Sequence, residues 1–351
     1  MKIDHIHFFV EDAARQRDWF IQYLGWTWVK QVILADQTIE ILRYRDTLFV
    51  LSSPRTSSSV VADYLRNHPP GVADIAIAVD NLAATLDHLE TATQVQTTLS
   101  PVLSQLIDPN APLSAWASIG GWGSLRHTLI ERQPNKSSLQ KSEGSSTSID
   151  HIVLNVPAGE LQPAVKFYQH LFELQKQQSF NIQTQQSGLS SQVLFSPAGQ
   201  LYFNINEPTS ANSQIQTFLD ANRGAGIQHI ALNSDPIVST VKTLRQKGLS
   251  LLSVPLTYYD QLQQRLQMRP AAPIEYQEWQ QIVEQQILID WQPKQPESLL
   301  LQIFSQPIFE DNHFFFEFIE RRQSVQGFGE GNFLALYKAI EIAEMNNMQV
   351  R

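Results

Sequence analysis

The apolar positions of this chain fall into short runs of two periods. Ile3–Val10 (IDHIHFFV) and Ile149–Val156 (IDHIVLNV) are alternating or near-continuous apolar runs of strand length. Each is followed by apolar residues spaced by one, three and four: Trp19, Phe20, Tyr23 and Leu24 within Ala14–Trp26, then Phe167, Tyr168, Leu171 and Phe172 within Ala164–Leu174. That spacing predicts a helix with one buried face. Further on, GVADIAIAVDNLAATLDHL (Gly71–Leu89) parallels GIQHIALNSDPIVSTVKTL (Gly226–Leu244), each reading glycine, strand, turn with Asp, helix. LRHTLIER (Leu125–Arg132) parallels FFFEFIER (Phe314–Arg321), each an apolar strand ending in Ile-Glu-Arg. Thr47–Leu51, Gln192–Phe195, Leu201–Ile205 and Leu299–Phe304 are further predicted strands. Aligned segments in one order indicate an internal duplication. The expectation is an α+β fold of two duplicated domains, each of paired βαβββ modules forming an open barrel.

Between the halves, Gln133–Ser148 (QPNKSSLQKSEGSSTS) is polar, rich in serine and without apolar periodicity. It cannot bury a face and reads as a linker. The expected organisation is an N-terminal barrel domain without metal over 1–132, a linker over 133–148, and a C-terminal catalytic domain over 149–351. With 42% apolar and 17% charged residues, the chain can bury a sizeable core. Its formal net charge of -9 argues against a nucleic-acid partner, which calls for basic patches. The absence of cysteine excludes disulfides, thiolate zinc sites, iron–sulfur clusters and a thiol nucleophile. Any metal must be held by imidazole and carboxylate. The opening MKIDHIHFFVED is broken by Asp4, His5 and His7, unlike a signal peptide, and no apolar run is long enough to span a membrane. A soluble, cytoplasmic protein is expected.

Three corresponding strands of the second half carry His151, His229 and Glu317; the first half has His5, Asp74 and Thr128 in the matching places. Two imidazoles and one carboxylate form the donor set of a facial triad, which leaves positions open for substrate and oxygen on Fe(II). Mn(II) and Co(II) fit the same donors. A barrel brings such distant residues together, because equivalent strand positions face one interior. A threonine hydroxyl does not replace a carboxylate, so the second half is expected to hold the site alone. One histidine in a strand is more often structural than a ligand; the conjunction in a repeat changes that balance. Glu317 adds to it, because a bare carboxylate buried within FFFEFI is costly unless a cation offsets it. The alternative places Glu317 on a solvated face and exposes Phe315. His7, His68, His88, His127, His170 and His313 are expected at surfaces or in packing, and His5 is ambiguous.

Near the C-terminus, GFGEGNF (Gly327–Phe333) has glycine at every second position. This is a turn, with spacing unlike a dinucleotide fingerprint. Asn332 is a candidate cap for a helix over Phe333–Asn346 that carries Leu334, Leu336, Tyr337, Ile340 and Ile342. That helix reads equally as a gate over the barrel mouth or as a helix docked on the domain.

Asp150 to about Glu344 resembles the 4-hydroxyphenylpyruvate dioxygenase family of the vicinal-oxygen-chelate superfamily, in its bacterial and cyanobacterial type. DHIVLNV, SGLSSQVLFS, NINEP, SQIQTFL, GAGIQHIAL, PLTYYDQL, LLLQIFSQP, FFFEFIERR and GFGEGNFLALYKAIE carry the likeness in the family's order. The first half matches more loosely, at its opening strand, at HPPGVADIAIAV and at WGSLRHTLIER. The resemblance implies open barrels like those of glyoxalases and extradiol dioxygenases, with Fe(II) on His151, His229 and Glu317. It implies a substrate pocket with Ser191, Asn206, Gln228 and Gln302 as polar members. Phe304, Phe315, Phe328 and Phe333 would be its aromatic members, with Asn332 beside the last. Asn204 departs from the family pattern, which has proline two residues before Asn206. The implied reaction takes 4-hydroxyphenylpyruvate and O2 to homogentisate and CO2, by oxidative decarboxylation, ring hydroxylation and side-chain migration. Apart from the resemblance, exposed strand edges and a barrel exterior permit a homo-oligomer, dimer or tetramer, and neither a nucleic-acid nor a membrane partner is expected.

The residue types suit this chemistry. Aromatic walls accept a ring, and amides or hydroxyls accept a phenol or carboxylate. Gln228 and His229 are adjacent in a strand, so both reach one site only through a bulge or a curled strand. Three alternatives stay open: a 4-hydroxymandelate synthase on the same scaffold, an extradiol ring-cleaving dioxygenase, and a metal-free binding protein.

Overall fold

A computed structural model of the protein describes residues 2–90, 113–132, 148–183, 187–197, 201–267, 274–292, 295–310, 312–323, 325, 327–329, 331 and 332. The first half forms a seven-stranded sheet from β1 (Lys2–Phe9), β2 (Thr27–Ile33), β3 (Gln37–Tyr44), β4 (Thr47–Pro54), β5 (Gly71–Ala78), β6 (Leu113–Gly120) and β7 (Arg126–Arg132). The second forms an eight-stranded sheet from β8 (Ile149–Asn155), β9 (Gln175–Gln183), β10 (Gly188–Ser196), β11 (Leu201–Pro208), β12 (Gly226–Asn233), β13 (Leu288–Gln292), β14 (Gln295–Phe304) and β15 (Phe315–Arg322).

The strand orders display the duplication. The first sheet runs β2-β3-β4-β1-β5-β7-β6. The second, counted from its far edge, runs β9-β10-β11-β8-β12-β15-β14, with β13 added outside β14. Both sheets are mixed: β1 pairs with β4 in parallel and with β5 antiparallel, and β8 pairs with β11 in parallel. The α+β fold of duplicated modules expected from the repeat is therefore the observed one.

The helices among the described residues are α1 (Ala13–Trp19), α2 (Val60–Asn67), α3 (Leu82–Glu90), α4 (Leu161–Phe172), α5 (Gln214–Asn222), α6 (Ile237–Gln246), α7 (Leu256–Gln267) and α8 (Tyr276–Glu284). α1, α3, α4 and α6 each follow the opening strand of a module. α1 starts where Asp12 Oδ1 accepts from the amides of Ala14 and Arg15, both at 3.0 Å. It continues as a π-helical turn over Phe20–Leu24 and stops at Gly25, whose φ of 71° is left-handed. α4 buries Leu161, Ala164, Val165, Tyr168 and Leu171, the one-face spacing its sequence predicts. No helix among the described residues is long and apolar enough to cross a membrane.

By packing, the chain divides into two compact units, Met1–Ile230 with Pro307–Phe314, and Ala231–Gln306 with Phe315–Arg351. In the first, Tyr168 on α4 meets β7: its hydroxyl lies 3.1 Å from His127 Nε2 and accepts from the Trp122 amide at 3.2 Å. In the second, the Ser305 hydroxyl accepts from the Phe316 amide at 3.0 Å and ties the ends of β14 and β15. The expected linker, apart from Ser148, and the expected C-terminal helix lie outside the described residues.

Every residue of β8 is buried. Strand alternation puts Ile152 and Leu154 on one face and His151, Val153 and Asn155 on the other. A strand covered on both sides can carry polar side chains only where they find partners or ligands. This requirement concentrates attention on the second face.

Candidate metal centre

β8, β12 and β15 are neighbours in the second sheet, in the order β15-β12-β8. They carry His151, His229 and Glu317, which are 2%, 7% and 2% exposed. One ligand atom from each lies within 4.8 Å of the others. Among the described residues this is the group of His, Asp and Glu side chains disposed to hold a metal ion. The imidazole rings stand 5.6 Å apart at 79°. Donor atoms about 2 Å from a common ion are reached from here by small side-chain adjustments. The donor chemistry fits: two imidazoles and a carboxylate suit a divalent first-row metal and leave part of its coordination sphere open. Burial, and secondarily the nearby His151, push His229 well below the usual histidine range, so it is neutral, as a ligand must be.

Asp150 lies beside the first imidazole. Its Oδ1 is 2.8 Å from His151 Nδ1. A carboxylate there holds the proton on Nδ1 and leaves Nε2 as the donor atom. The first half repeats the pair, with His5 Nδ1 2.9 Å from Asp4 Oδ1. Burial acts to raise Asp4, but hydrogen bonds from His5 and Arg132 outweigh it and hold Asp4 well below the usual carboxylate range. The rest of the matching constellation is closed. Asp74 accepts from the Thr128 amide at 2.9 Å and from the Thr128 hydroxyl.

Other sequence-predicted residues fall as follows. Ser191 on β10 and Asn206 on β11 are register partners, and Asn206 is also opposite Asn155 on β8. They make one polar row on the face that carries His151. Asn206 Nδ2 donates to Asn155 Oδ1 at 3.3 Å. Ser191 Oγ, Asn155 Nδ2 and Asn204 Oδ1 are buried and find no hydrogen-bond partner among the described residues. Gln228 is buried on β12, next to His229 along the strand.

Gln302 on β14 is 1% exposed, and neither atom of its amide finds a partner among the described residues. Gly329 lies against it: a Cβ there would collide with the Gln302 amide, and the φ of 73° is left-handed. Phe304 and Phe315 meet edge to face at 5.9 Å. Phe328 is buried under the Arg321 guanidinium, 5.3 Å from its ring centroid. Arg321 also donates to the carbonyls of Val325 and Gly327, at 3.2 and 2.7 Å, and so shapes the glycine turn. Asn332 is fully buried and its Oδ1 accepts from the Tyr258 hydroxyl at 2.9 Å. Phe333, and the helix Asn332 was expected to cap, lie outside the described residues.

Asp150 and Asn155 are additions to the sequence-predicted set. The signal for Asp150 was present, since Asp-His opens both halves. Asn155 is a polar residue in an otherwise apolar strand end, a weaker signal.

The Glyoxalase/Bleomycin resistance protein/Dioxygenase superfamily model matches residues 148–266. A 4-hydroxyphenylpyruvate dioxygenase of Legionella pneumophila is 33% identical over 311 residues, 87% of this chain and 84% of the relative. An uncharacterized protein of Synechocystis sp. is 37% identical over 348 residues, 98% of each chain. Among solved structures, a mutant of 4-hydroxymandelate synthase from Streptomyces coelicolor matches with a TM-score of 0.81 at 24% identity over 98% of each chain, a likeness of fold. The chain belongs, within that superfamily, to the 4-hydroxyphenylpyruvate dioxygenase family. The dioxygenase class expected from the sequence is thereby established.

Proposed function

We propose that this protein is an Fe(II)-dependent 4-hydroxyphenylpyruvate dioxygenase, forming homogentisate and CO2 from 4-hydroxyphenylpyruvate and O2. The observation that carries the reading is the buried cluster of His151, His229 and Glu317 on three adjacent strands. An Fe(II) ion bound there supplies O2 activation and a chelation point for the 2-oxo acid of the substrate. The remaining work belongs to the chain. His229, kept neutral by burial, and His151 would hold the ion through ring nitrogens, and Glu317 through a carboxylate oxygen. Asp150 orients one imidazole. Gln302 and Gln228 offer carboxamides to the substrate's carboxylate or phenol, and Ser191 with Asn206 offers a second polar contact. Phe304, Phe315 and Phe328 supply apolar walls that hold a ring in place and exclude water. No side chain serves as a nucleophile.

Anaerobic loading with Fe(II), followed by oxygen uptake with 4-hydroxyphenylpyruvate and chromatography of the product, tests this. One homogentisate and one CO2 per O2 are expected. Hydroxymandelate as product would replace the reading with that of a 4-hydroxymandelate synthase, and consumption of a catechol with ring opening would replace it with an extradiol dioxygenase.

A further inference from the structure

The face of β8, β11 and β10 that carries His151 holds a buried carboxamide oxygen with no hydrogen-bond partner among the described residues. On it, Tyr202 is opposite His151, Asn204 is opposite Val153 and Val193, and Asn206 is opposite Asn155 and Ser191. Asn204 is 3% exposed, and its Oδ1 finds no partner among the described residues. Its strand neighbours, Val153 and Val193, are fully buried and offer no side-chain hydrogen bond. A carboxamide enclosed this way costs stability unless a ligand completes it. With a rise of about 3.3 Å per residue and strands about 4.8 Å apart, Asn204 lies roughly 8 Å from His151 between Cα atoms, and Asn206 roughly 14 Å. A ligand anchored beside His151 therefore passes Asn204 before it reaches Asn206 and Ser191.

We infer that Asn204 is a specificity-determining residue, selecting 2-oxo acids whose aromatic ring carries a second hydroxyl beside the first. This rests on the proposed dioxygenase reading. A hydroxyl is a partner that fits. The oxygen and nitrogen of an amide are assigned by context, and a hydroxyl both donates and accepts, so it suits either orientation. Ser191 and Asn206 then remain for the first hydroxyl.

The test compares 3,4-dihydroxyphenylpyruvate with 4-hydroxyphenylpyruvate on the iron-loaded enzyme, by kcat/KM and by anaerobic calorimetric binding. The variants are Asn204→Val and Asn204→Thr; both residues suit a strand, and only the second keeps a hydrogen-bonding side chain. The preference for the dihydroxy acid should fall about tenfold or more in Asn204→Val, since a site built around a hydroxyl rejects its loss. Asn204→Thr should recover part of it, and kcat/KM for the monohydroxy acid should change less than about threefold in either variant. An unchanged ratio in Asn204→Val, with 4-hydroxyphenylpyruvate still converted to homogentisate, overturns the role of Asn204 alone. Failure of the parent enzyme to bind or convert either acid overturns both this inference and the function it rests on.

Discussion

Two buried glutamates show what the candidate site requires. Glu40 on β3 is fully enclosed, and Arg17 Nη1, Trp28 Nε1 and Gln31 Nε2 donate to it at 2.8, 2.7 and 2.7 Å. Its charge is compensated within the chain. Glu317, 2% exposed, brings a carboxylate oxygen within 4.8 Å of a ring nitrogen of His151 and of His229. Glu40→Ala should lose on the order of 3 kcal/mol in denaturant unfolding, because it strands the partners of a buried ion pair. Unchanged stability in Glu40→Ala would mean that these three donors do not offset a buried charge. Asp150→Asn should weaken Fe(II) affinity about 10–100-fold in chelator competition, with Asp150→Glu recovering part of it. Unaltered affinity in Asp150→Asn would remove Asp150 from the account. At this scale the ligands were legible because the repeat set His151, His229 and Glu317 against His5, Asp74 and Thr128. Asn155 was not, because one polar residue at a strand end has no period to betray it.

Burial made the central strands legible, although the largely buried β3 and β13 were not predicted. β8, β12 and β15 are buried on both faces or nearly so, and their apolar runs announce them. β9 (QKQQSFNIQ) is the outer strand of its sheet, with alternating exposed positions and Phe180 and Ile182 as its apolar members. Its residues are chosen for water rather than core, so no strand was predicted there, and β2 escaped for the same reason. The contact of β7 with α4 was also invisible, because it joins residues far apart in sequence. There, burial pushes His127 down from the usual 6.5 to about 4. Between these values the unfolded chain binds a proton that the native chain does not. Stability from this contact is thus complete above pH 6.5 and lost as pH falls towards 4, by roughly 3 kcal/mol in total. His7, pushed down first by burial and then by His5 and Arg126, adds to the same slope. Chemical denaturation between pH 7 and 4 should show stability falling with acid, and His127→Leu should flatten that fall. A slope unchanged in His127→Leu would place the acid sensitivity elsewhere.

The whole molecule is a duplication in which the sheet order was kept and the chemistry divided. Its two halves were legible because gene-scale repetition leaves matched strand patterns, and the shared strand order bears this out. The additional edge strand β13 and the division into compact units were not, since both arise from packing between distant segments. In the first half, Asp74 is occupied by Thr128, and the equivalent of Glu317 is missing. The second half brings His151, His229 and Glu317 together, so a single metal ion per chain is the expected content. Elemental analysis of iron per chain, after anaerobic loading and desalting, tests this most directly. The account predicts one iron in the parent protein and none retained in Glu317→Ala, with fold intact by circular dichroism. Iron retained at one per chain in a folded Glu317→Ala would contradict it.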